Sequence, residues 1–227
     1  MCSTRFPKLT PQTRLEPRNR HKIVQYSDIL GMGLSSVLLF LHAVVTVLCL
    51  PPPRLLADND ITVVSRDEWG ASPPSSRSIL NTPVSLVVIH HTYIPSACNN
   101  RRDCSGAMRS MQYTHQITNG WTDIGYNFAV GGDGDVYEGR GWDCVGAHAV
   151  GVNSKSIGIV LIGDWVSVVP PVNQLETTKK LIAKGVELGY ISPEYKLIGH
   201  RQVGSTECPG EALFREISTW DRFKPVV

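Results

Sequence analysis

The sequence predicts an α/β fold in which a central mixed β-sheet is flanked by about three helices, in one domain that follows a hydrophobic N-terminal leader. Two runs rich in valine and isoleucine have the composition of strands that are buried on both faces. An Asp-Gly pair between two further β-type runs predicts a hairpin. Segments with helical periodicity alternate with these strands, which is typical of helices that pack on the faces of a sheet.

The first 60 residues are predicted to precede the folded domain. Residues 1–30 are a basic arm, and residues 31–50, "GMGLSSVLLFLHAVVTVLCL", carry no formal charge and are long enough to span a bilayer. This segment is either a signal-anchor or a cleaved signal peptide, and a buried core helix is the remaining alternative. Residues 51–60 open with three prolines and form a linker. Because the basic arm stays cytoplasmic, we expect an extracellular domain, secreted or tethered, that meets the membrane only through this segment.

The domain itself is predicted over residues 61–222. It opens with a short β-rich piece and a turn at Gly70. A buried strand over Pro83–Thr92 ends in two adjacent histidines. A helix is predicted over Ser105–Asn119, because methionines, a histidine and a threonine recur there at helical spacing and Gly120 follows as a C-terminal cap.

The second half continues the alternation of strands and helices. "IGYNFAV" and "DVYEGR" are strands that flank the turn "GGDG", and Ser156–Trp165 is a second buried strand. An amphipathic helix is predicted over Leu175–Leu188. "YKLIGH" is the last strand, and Glu211–Trp220 is the last helix.

The charge balance excludes one class of partner. The formal net charge of the 227 residues is +2, whereas nucleic-acid-binding proteins normally carry a strong basic excess. We therefore expect no nucleic-acid partner. The glycine-rich stretch "GGDGDVYEGRG" lacks the Gly-x-Gly-x-x-Gly order of a phosphate-binding loop, and no helix follows it.

The chain has six cysteines, of which Cys2 and Cys49 belong to the leader. In an oxidising compartment close pairs tend to be bridged. Cys98 and Cys104 bracket a polar loop and are the natural pair, with a short closed loop that would stabilise the fold by about 2 kcal/mol. Cys144 and Cys208 then remain, and they either bridge each other or leave one thiol for a metal. A half-buried thiol is the simplest interpretation of Cys144.

Metal-ligand side chains lie at the ends of two predicted strands. His90 and His91 close one strand, His200 closes another, and Cys208 lies in the loop that follows. Two imidazoles and one thiolate would leave the fourth position of a tetrahedral zinc ion open, as catalytic zinc sites do. Successive strand residues point to opposite faces, so only one of His90 and His91 can face the ion, and the pattern does not say which. The alternative is that Cys208 is inert or disulfide-bonded and the histidines make core hydrogen bonds.

Several motifs in order resemble one family. "VVIHHT", "GWTDIGYNFAVGGDGDVYEGRGW", "GAHA", "SIGIVLIGDW" and "GHRQVGSTECPG" are together similar to the peptidoglycan-recognition proteins, which share a fold with phage-type zinc N-acetylmuramoyl-L-alanine amidases. The resemblance covers residues 61–220. Some members cut peptidoglycan, and others have lost the cysteine and only bind it. The motifs here resemble the zinc amidase branch, as in its catalytic insect members.

The resemblance implies specific site residues. The zinc ligands of catalytic members correspond to His90, His200 and Cys208, all of which are present. Tyr126 and Thr206 also match the catalytic pattern, and their hydroxyl groups would hydrogen-bond a developing oxyanion or orient water. The resemblance further implies that Cys98–Cys104 is the short disulfide of the family.

The resemblance also implies a substrate groove. Aromatic faces suit sugar rings, and cations suit the carboxylates of a stem peptide. His148 has an alternative role, which is to orient a zinc ligand. Family members that prefer diaminopimelate-type peptidoglycan usually carry arginine at the position of Lys155, so we lean towards that type, although lysine keeps the charge without the bidentate geometry. The implied groove residues are Thr92, Tyr93, Arg140, Trp142, His148, Asn153 and Lys155.

These observations predict a zinc-dependent amidase that hydrolyses the bond between N-acetylmuramic acid and L-alanine in bacterial peptidoglycan, in innate immunity. Zinc is the expected cofactor because amide hydrolysis needs a polarised carbonyl and a nucleophile at neutral pH. The alternative is a membrane-anchored recognition receptor with weak or no catalysis. The long basic arm favours the receptor, whereas the complete ligand set favours the enzyme.

Overall fold

The computed structural model describes residues 61–226, which lie within one compact unit. The predicted basic arm, apolar segment and linker lie outside the described residues. Across residues 61–226, no helix combines the length and the apolar character that crossing a membrane requires.

A mixed β-sheet forms the centre of the described region, as the sequence predicts. Its strands lie in the spatial order β1-β4-β3-β5-β2-β6, and adjacent strands are parallel except for the antiparallel hairpin of β3 and β4. The hairpin and the two buried interior strands, β2 and β5, are the elements that the valine- and isoleucine-rich runs and the Asp-Gly turn predict. The strands are β1 (Val63–Val64), β2 (Val84–His91), β3 (Phe128–Val130), β4 (Val136–Glu138), β5 (Ser156–Leu161) and β6 (Ile191–Gly199).

Four α-helices accompany the sheet between residues 61 and 226, one more than expected. The additional helix is a single turn, and Ser65 and Glu68 close it with a reciprocal capping box. Its serine-x-x-glutamate signal is present in the sequence, where only the turn at Gly70 is predicted. The helices are α1 (Arg66–Trp69), α2 (Arg101–Tyr113), α3 (Val172–Glu187) and α4 (Glu211–Ile217).

Helices cover both faces of the sheet. Leu181 of α3 and Leu213 of α4 belong to one core cluster with Ile89 of β2. Met108 of α2 packs on the opposite face with Val160 of β5. Burial of each such side chain contributes about 1.5–3 kcal/mol, so the central strands are held from both sides.

The boundaries of α2 differ from the prediction. The helix begins at Arg101 rather than Ser105, because the Asn100 side chain accepts a hydrogen bond from the Asp103 N–H at 3.0 Å and caps the first turn. It continues past Tyr113 as a π-helical turn over Thr114–Thr118. The predicted Cys98–Cys104 disulfide is present and joins the loop after β2 to this first turn.

Candidate metal centre

The sheet register brings two histidines to one edge. β2 and β6 are parallel and pair Ile89 with Gly199, so the next residues, His90 and His200, are neighbours where both strands end. Their ring centroids lie 4.6 Å apart. The carboxyl ends of adjacent parallel strands are a common position for functional groups in α/β folds.

The strand also decides between the two adjacent histidines. His90 turns towards His200, whereas His91 lies on the other face, where its Nδ1 accepts a hydrogen bond from the Trp165 N–H at 3.2 Å. The alternation of side chains along β2 forces this separation. His90 is therefore the member of the pair that faces the candidate ion.

Cys208 completes a group of three ligand side chains. One potential ligand atom from each of His90, His200 and Cys208 lies within 4.8 Å of the others. The Cys208 Sγ is 3.7 Å from His90 Nδ1 and accepts a hydrogen bond from the His91 N–H at 3.4 Å. Within the described region Cys208 keeps a thiol rather than a disulfide, which removes the bridge to Cys144 as an alternative.

The loop that carries the thiol is fixed at several points. The Arg201 N–H donates to the Cys208 carbonyl at 2.8 Å, and the Arg201 guanidinium pairs with Glu211 at the start of α4. Thr206 Oγ1 accepts from the Cys208 N–H at 3.1 Å. The Thr206 hydroxyl proton stays available, and the side chain is exposed beside the centre.

Burial sets the charge state of these groups in the metal-free protein. Desolvation holds the pKa of His90 and of His200 below the usual range, so both imidazoles are neutral ligands at pH 7. Burial raises the pKa of the Cys208 thiol to about 12, against the opposing effect of the His91 N–H. A metal ion that binds here must therefore displace a proton from sulfur.

Two aromatic side chains surround the imidazole of His90. The Tyr126 ring centroid lies 5.2 Å from that of His90, and burial followed by the charge at Cys208 raises the pKa of its phenol. His148 is buried, and its Nδ1 lies 3.0 Å from His90 Nε2. Desolvation lowers the pKa of His148 to about 3, so this ring is neutral as well.

Proteins of known family share much of this sequence. A family model described as N-acetylmuramoyl-L-alanine amidase matches residues 80–211. Peptidoglycan-recognition protein LB of Drosophila melanogaster is 53% identical over 161 residues, which are 71% of this chain and 69% of that protein. The chain belongs to the peptidoglycan-recognition proteins of this amidase family.

Further relatives of this family agree in sequence and fold. Human N-acetylmuramoyl-L-alanine amidase is 44% identical over 165 residues, 71% of this chain but 29% of the human protein. The structure of wild-type Drosophila peptidoglycan-recognition protein LB superposes with a TM-score of 0.73 at 51% identity, covering 74% of this chain and 99% of that one. The structure of peptidoglycan-recognition protein LE in complex with tracheal cytotoxin, a monomeric diaminopimelic acid-type peptidoglycan, superposes with a TM-score of 0.71 at 43% identity, covering 72% of this chain and 96% of that one.

One residue that the resemblance to peptidoglycan-recognition proteins assigns to the groove lies in the core instead. Trp142 is 4% exposed and packs between Phe128 and Tyr190, with ring centroids 4.3 and 5.4 Å away. It is a core residue, and the prediction that it lines a groove is wrong. The position within a motif does not reveal that the side chain turns inward.

Other implied groove residues use their polar atoms within the fold. The Thr92 hydroxyl lies 2.6 Å from the Pro95 carbonyl and accepts from the Gly163 N–H at 2.8 Å. Half-buried Arg140 donates to two backbone carbonyls, those of Ile124 and Val145. These contacts show how the loops around the centre are held together.

Asn153 and His148 are joined by hydrogen bonds between the Asn153 side chain and the backbone at His148. Asn153 Oδ1 accepts from the backbone N–H groups of His148 and Ala149, at 2.9 and 2.8 Å. The contact of His148 with His90 matches the alternative that His148 orients a ligand. Tyr93 and Lys155 remain exposed and available to a substrate.

Sequence reasoning missed two aromatic groups beside the centre of this family member. Trp121 is 40% exposed and stacks on His115 at 4.7 Å between ring centroids. His115 in turn lies 5.8 Å from the Tyr126 ring. The quoted motif "GWTDIGYNF" contains Trp121, so the signal was present, whereas His115 is visible in the sequence only as a residue of helical spacing.

Proposed function

We propose that the chain is a zinc-dependent N-acetylmuramoyl-L-alanine amidase, which hydrolyses the amide between the lactyl group of N-acetylmuramic acid and the L-alanine of the peptidoglycan stem peptide. The observation that carries the proposal is the convergence of Cys208 with His90 and His200, within 4.8 Å, at the edge of the sheet. A relative that carries the amidase name and a similar structure in complex with tracheal cytotoxin support this substrate class.

The residues present fit a zinc ion. Zinc binds imidazole nitrogen at about 2.0 Å and thiolate sulfur at about 2.3 Å, so tetrahedral ligands of these types lie about 3.5 Å apart. The distance from His90 Nδ1 to Cys208 Sγ is 3.7 Å. A donor set of two neutral nitrogens and one sulfur binds zinc in preference to magnesium or calcium. Three protein ligands leave one position of a tetrahedral zinc ion for water or substrate.

Zinc bound by these side chains would supply a Lewis acid and lower the pKa of water. Tyr126 keeps its proton because burial raises its pKa, so its hydroxyl is a hydrogen-bond donor to the developing oxyanion and not a base. The exposed hydroxyl of Thr206, in the loop that carries the thiol, is a second hydrogen-bond donor to the same oxyanion.

Digestion of peptidoglycan by the purified protein tests the proposal. We expect mass spectrometry to detect free stem peptides in the presence of zinc and none after removal of metal with a chelator. Cys208→Ser should abolish the release, while Cys144→Ala, which removes the thiol outside the ligand group, should retain it. Peptidoglycan binding without release by fully metallated protein would instead favour the recognition receptor.

The proposed stem-peptide preference is the diaminopimelate type. Lys155 is exposed at the end of a single 3₁₀ turn, Asn153–Lys155, where its ammonium can meet a carboxylate of the substrate. The complex of peptidoglycan-recognition protein LE with a diaminopimelic acid-type monomer supports this preference. Cleavage rates on diaminopimelate-type and lysine-type substrates, compared for the wild type, test it directly.

The proposed setting is antibacterial defence outside the cell. The immune role is supported by relatives that are named peptidoglycan-recognition proteins. The location is proposed from the apolar segment at residues 31–50 and the Cys98–Cys104 disulfide, which is typical of oxidising compartments. N-terminal sequencing of the mature protein, with cell fractionation, distinguishes a secreted from a tethered form.

A further inference from the structure

A chain of buried polar contacts runs away from the metal centre on the side opposite to Cys208. It links the Val152 carbonyl, the Ser156 hydroxyl, the His148 ring and the His90 ring. We propose that this chain, the His90 relay, fixes the tautomer of His90 so that its Nδ1 lone pair faces the metal. Ser156 and His148 are then positioning residues. The inference rests on the metal site of the proposed function.

The direction of the relay is set at its far end. Ser156 is fully buried, and its Oγ lies 2.7 Å from the Val152 carbonyl oxygen. A carbonyl oxygen only accepts hydrogen bonds, so the single hydroxyl proton of Ser156 is committed to it. The Ser156 Oγ also lies 3.3 Å from His148 Nε2, and towards that atom it can now only accept. The proton of His148 is therefore on Nε2.

The remaining steps follow from the two nitrogens of a neutral imidazole, of which one donates and the other accepts. With its proton on Nε2, His148 presents the lone pair of Nδ1 to His90 Nε2, 3.0 Å away. His90 must donate from Nε2, which leaves Nδ1 without a proton. That atom lies 3.7 Å from the Cys208 sulfur and faces the proposed ion.

The fold holds the His148 ring in this orientation. A Cβ on Gly158 would lie 2.4 Å from two ring atoms, and a Cβ on Gly146 would lie 2.5 Å from the ring. Asn153 fixes the backbone of His148 from the other end. Two glycines and one asparagine thus confine a single imidazole, and this accounts for small residues on both sides of the ring.

Loss of the Ser156 hydroxyl should leave the fold intact but no longer fix the tautomer of His148. Without Ser156 Oγ, His148 can carry its proton on Nδ1, and His90 then accepts at Nε2 and turns an N–H towards the metal position. Partners that orient a metal ligand typically contribute 10–100-fold to metal affinity. We expect Ser156→Ala to weaken zinc binding about tenfold, at the lower end of that range.

Nitrogen-15 NMR of the histidine rings in the metal-free protein tests the relay without any substitution. We expect both His90 and His148 to carry their proton on Nε2 at pH 7. A proton on Nδ1 of either ring overturns the inference. Because this measurement needs neither metal nor substrate, it stands apart from the proposed function, which fails instead if the wild type does not bind zinc or does not release stem peptides.

Metal affinity gives the second test, measured by competition with a chromophoric zinc chelator. The matched control is Ser154→Ala, an exposed serine two residues away, which should bind zinc as the wild type does. In a His148→Asn background the amide oxygen can accept from His90 whatever Ser156 does, so Ser156→Ala should there have no further effect. Unchanged affinity of Ser156→Ala alone, or an equal loss in both backgrounds, refutes the relay.

Discussion

Gly158→Ala is a small substitution that should disturb the metal centre from a distance. The added Cβ would lie 2.4 Å from Cγ and Cδ2 of His148, whereas ordinary contact begins near 3.4 Å. The ring must therefore move by the difference, about 1 Å, unless the strand moves instead. A shift of that size lengthens the 3.0 Å contact with His90 beyond hydrogen-bond range.

Gly158→Ala should lower both the stability of the protein and its affinity for zinc, and the two effects can be measured separately. Overpacking of a close-packed interior costs about 1–3 kcal/mol, which for a domain of this size lowers the melting temperature by roughly 2–12 °C. Displacement of the ring from His90 should also weaken zinc binding by about 10–100-fold. Thermal unfolding in chelator measures the first part, and chelator competition at a temperature where the protein is folded measures the second.

Gly106→Ala is the matched control, because its added Cβ meets only the end of Arg109 at 3.9 Å. In the middle of α2 this change should stabilise the protein by about 0.5–1 kcal/mol and leave zinc affinity unchanged. If Gly158→Ala melts and binds zinc like the wild type, then the close packing of Gly158 on His148 does not hold the site, and the reasoning fails.

Three further predictions address catalysis, acid stability and specificity. Tyr126→Phe should lower kcat about 100–1000-fold with little change in KM or zinc affinity, because it removes one hydrogen-bond donor to the oxyanion. Steady-state kinetics measures this change, and a decrease in kcat of less than about tenfold would contradict that role. Burial lowers the pKa of His115 to about 4 from 6.5, so the unfolded chain binds this proton more readily. Metal-free protein should then lose stability as the pH falls from 6.5 to 4, and urea titrations should show a flatter profile for His115→Gln; an unaltered profile excludes His115 as the source. Lys155→Arg should preserve or increase the rate on diaminopimelate-type substrate, since the guanidinium binds a carboxylate bidentately, whereas Lys155→Ala should lower it; equal rates in all three proteins would rule out the contact.

The architecture follows from the sequence where one physical signal dominates. The run ending at His90, the run from Ser156 and the Asp-Gly hairpin are governed by burial and turn chemistry, and the structure places strands there. The sequence predicts the start of α2 four residues too far along the chain. The helix begins after its cap, Asn100, with two arginines, Arg101 and Arg102, which contribute nothing to the apolar periodicity. A cap of one side chain is a weaker signal than a hydrophobic stripe.

The candidate site was accessible from sequence only up to a point. Strand ends and ligand chemistry select the histidines and Cys208, but the choice of His90 over His91 needs the register of β2 against β6. Trp142 shows the opposite limit, since an aromatic residue in a family motif can point into the core as easily as into a groove. The partnership of Ser156 with His148 depends on three-dimensional contacts across eight positions of the chain, for which no local pattern exists.

The distance along the chain between His90 and Cys208, 118 positions, has a consequence for biosynthesis. During synthesis His90 leaves the ribosome long before Cys208. The two side chains meet only when most of the intervening strands and helices have folded. A nascent or truncated chain that stops short of residue 208 holds an incomplete coordination set. In the proposed zinc enzyme, a fragment that ends before residue 208 would lack the thiolate ligand, so the complete ligand set would require the folded chain.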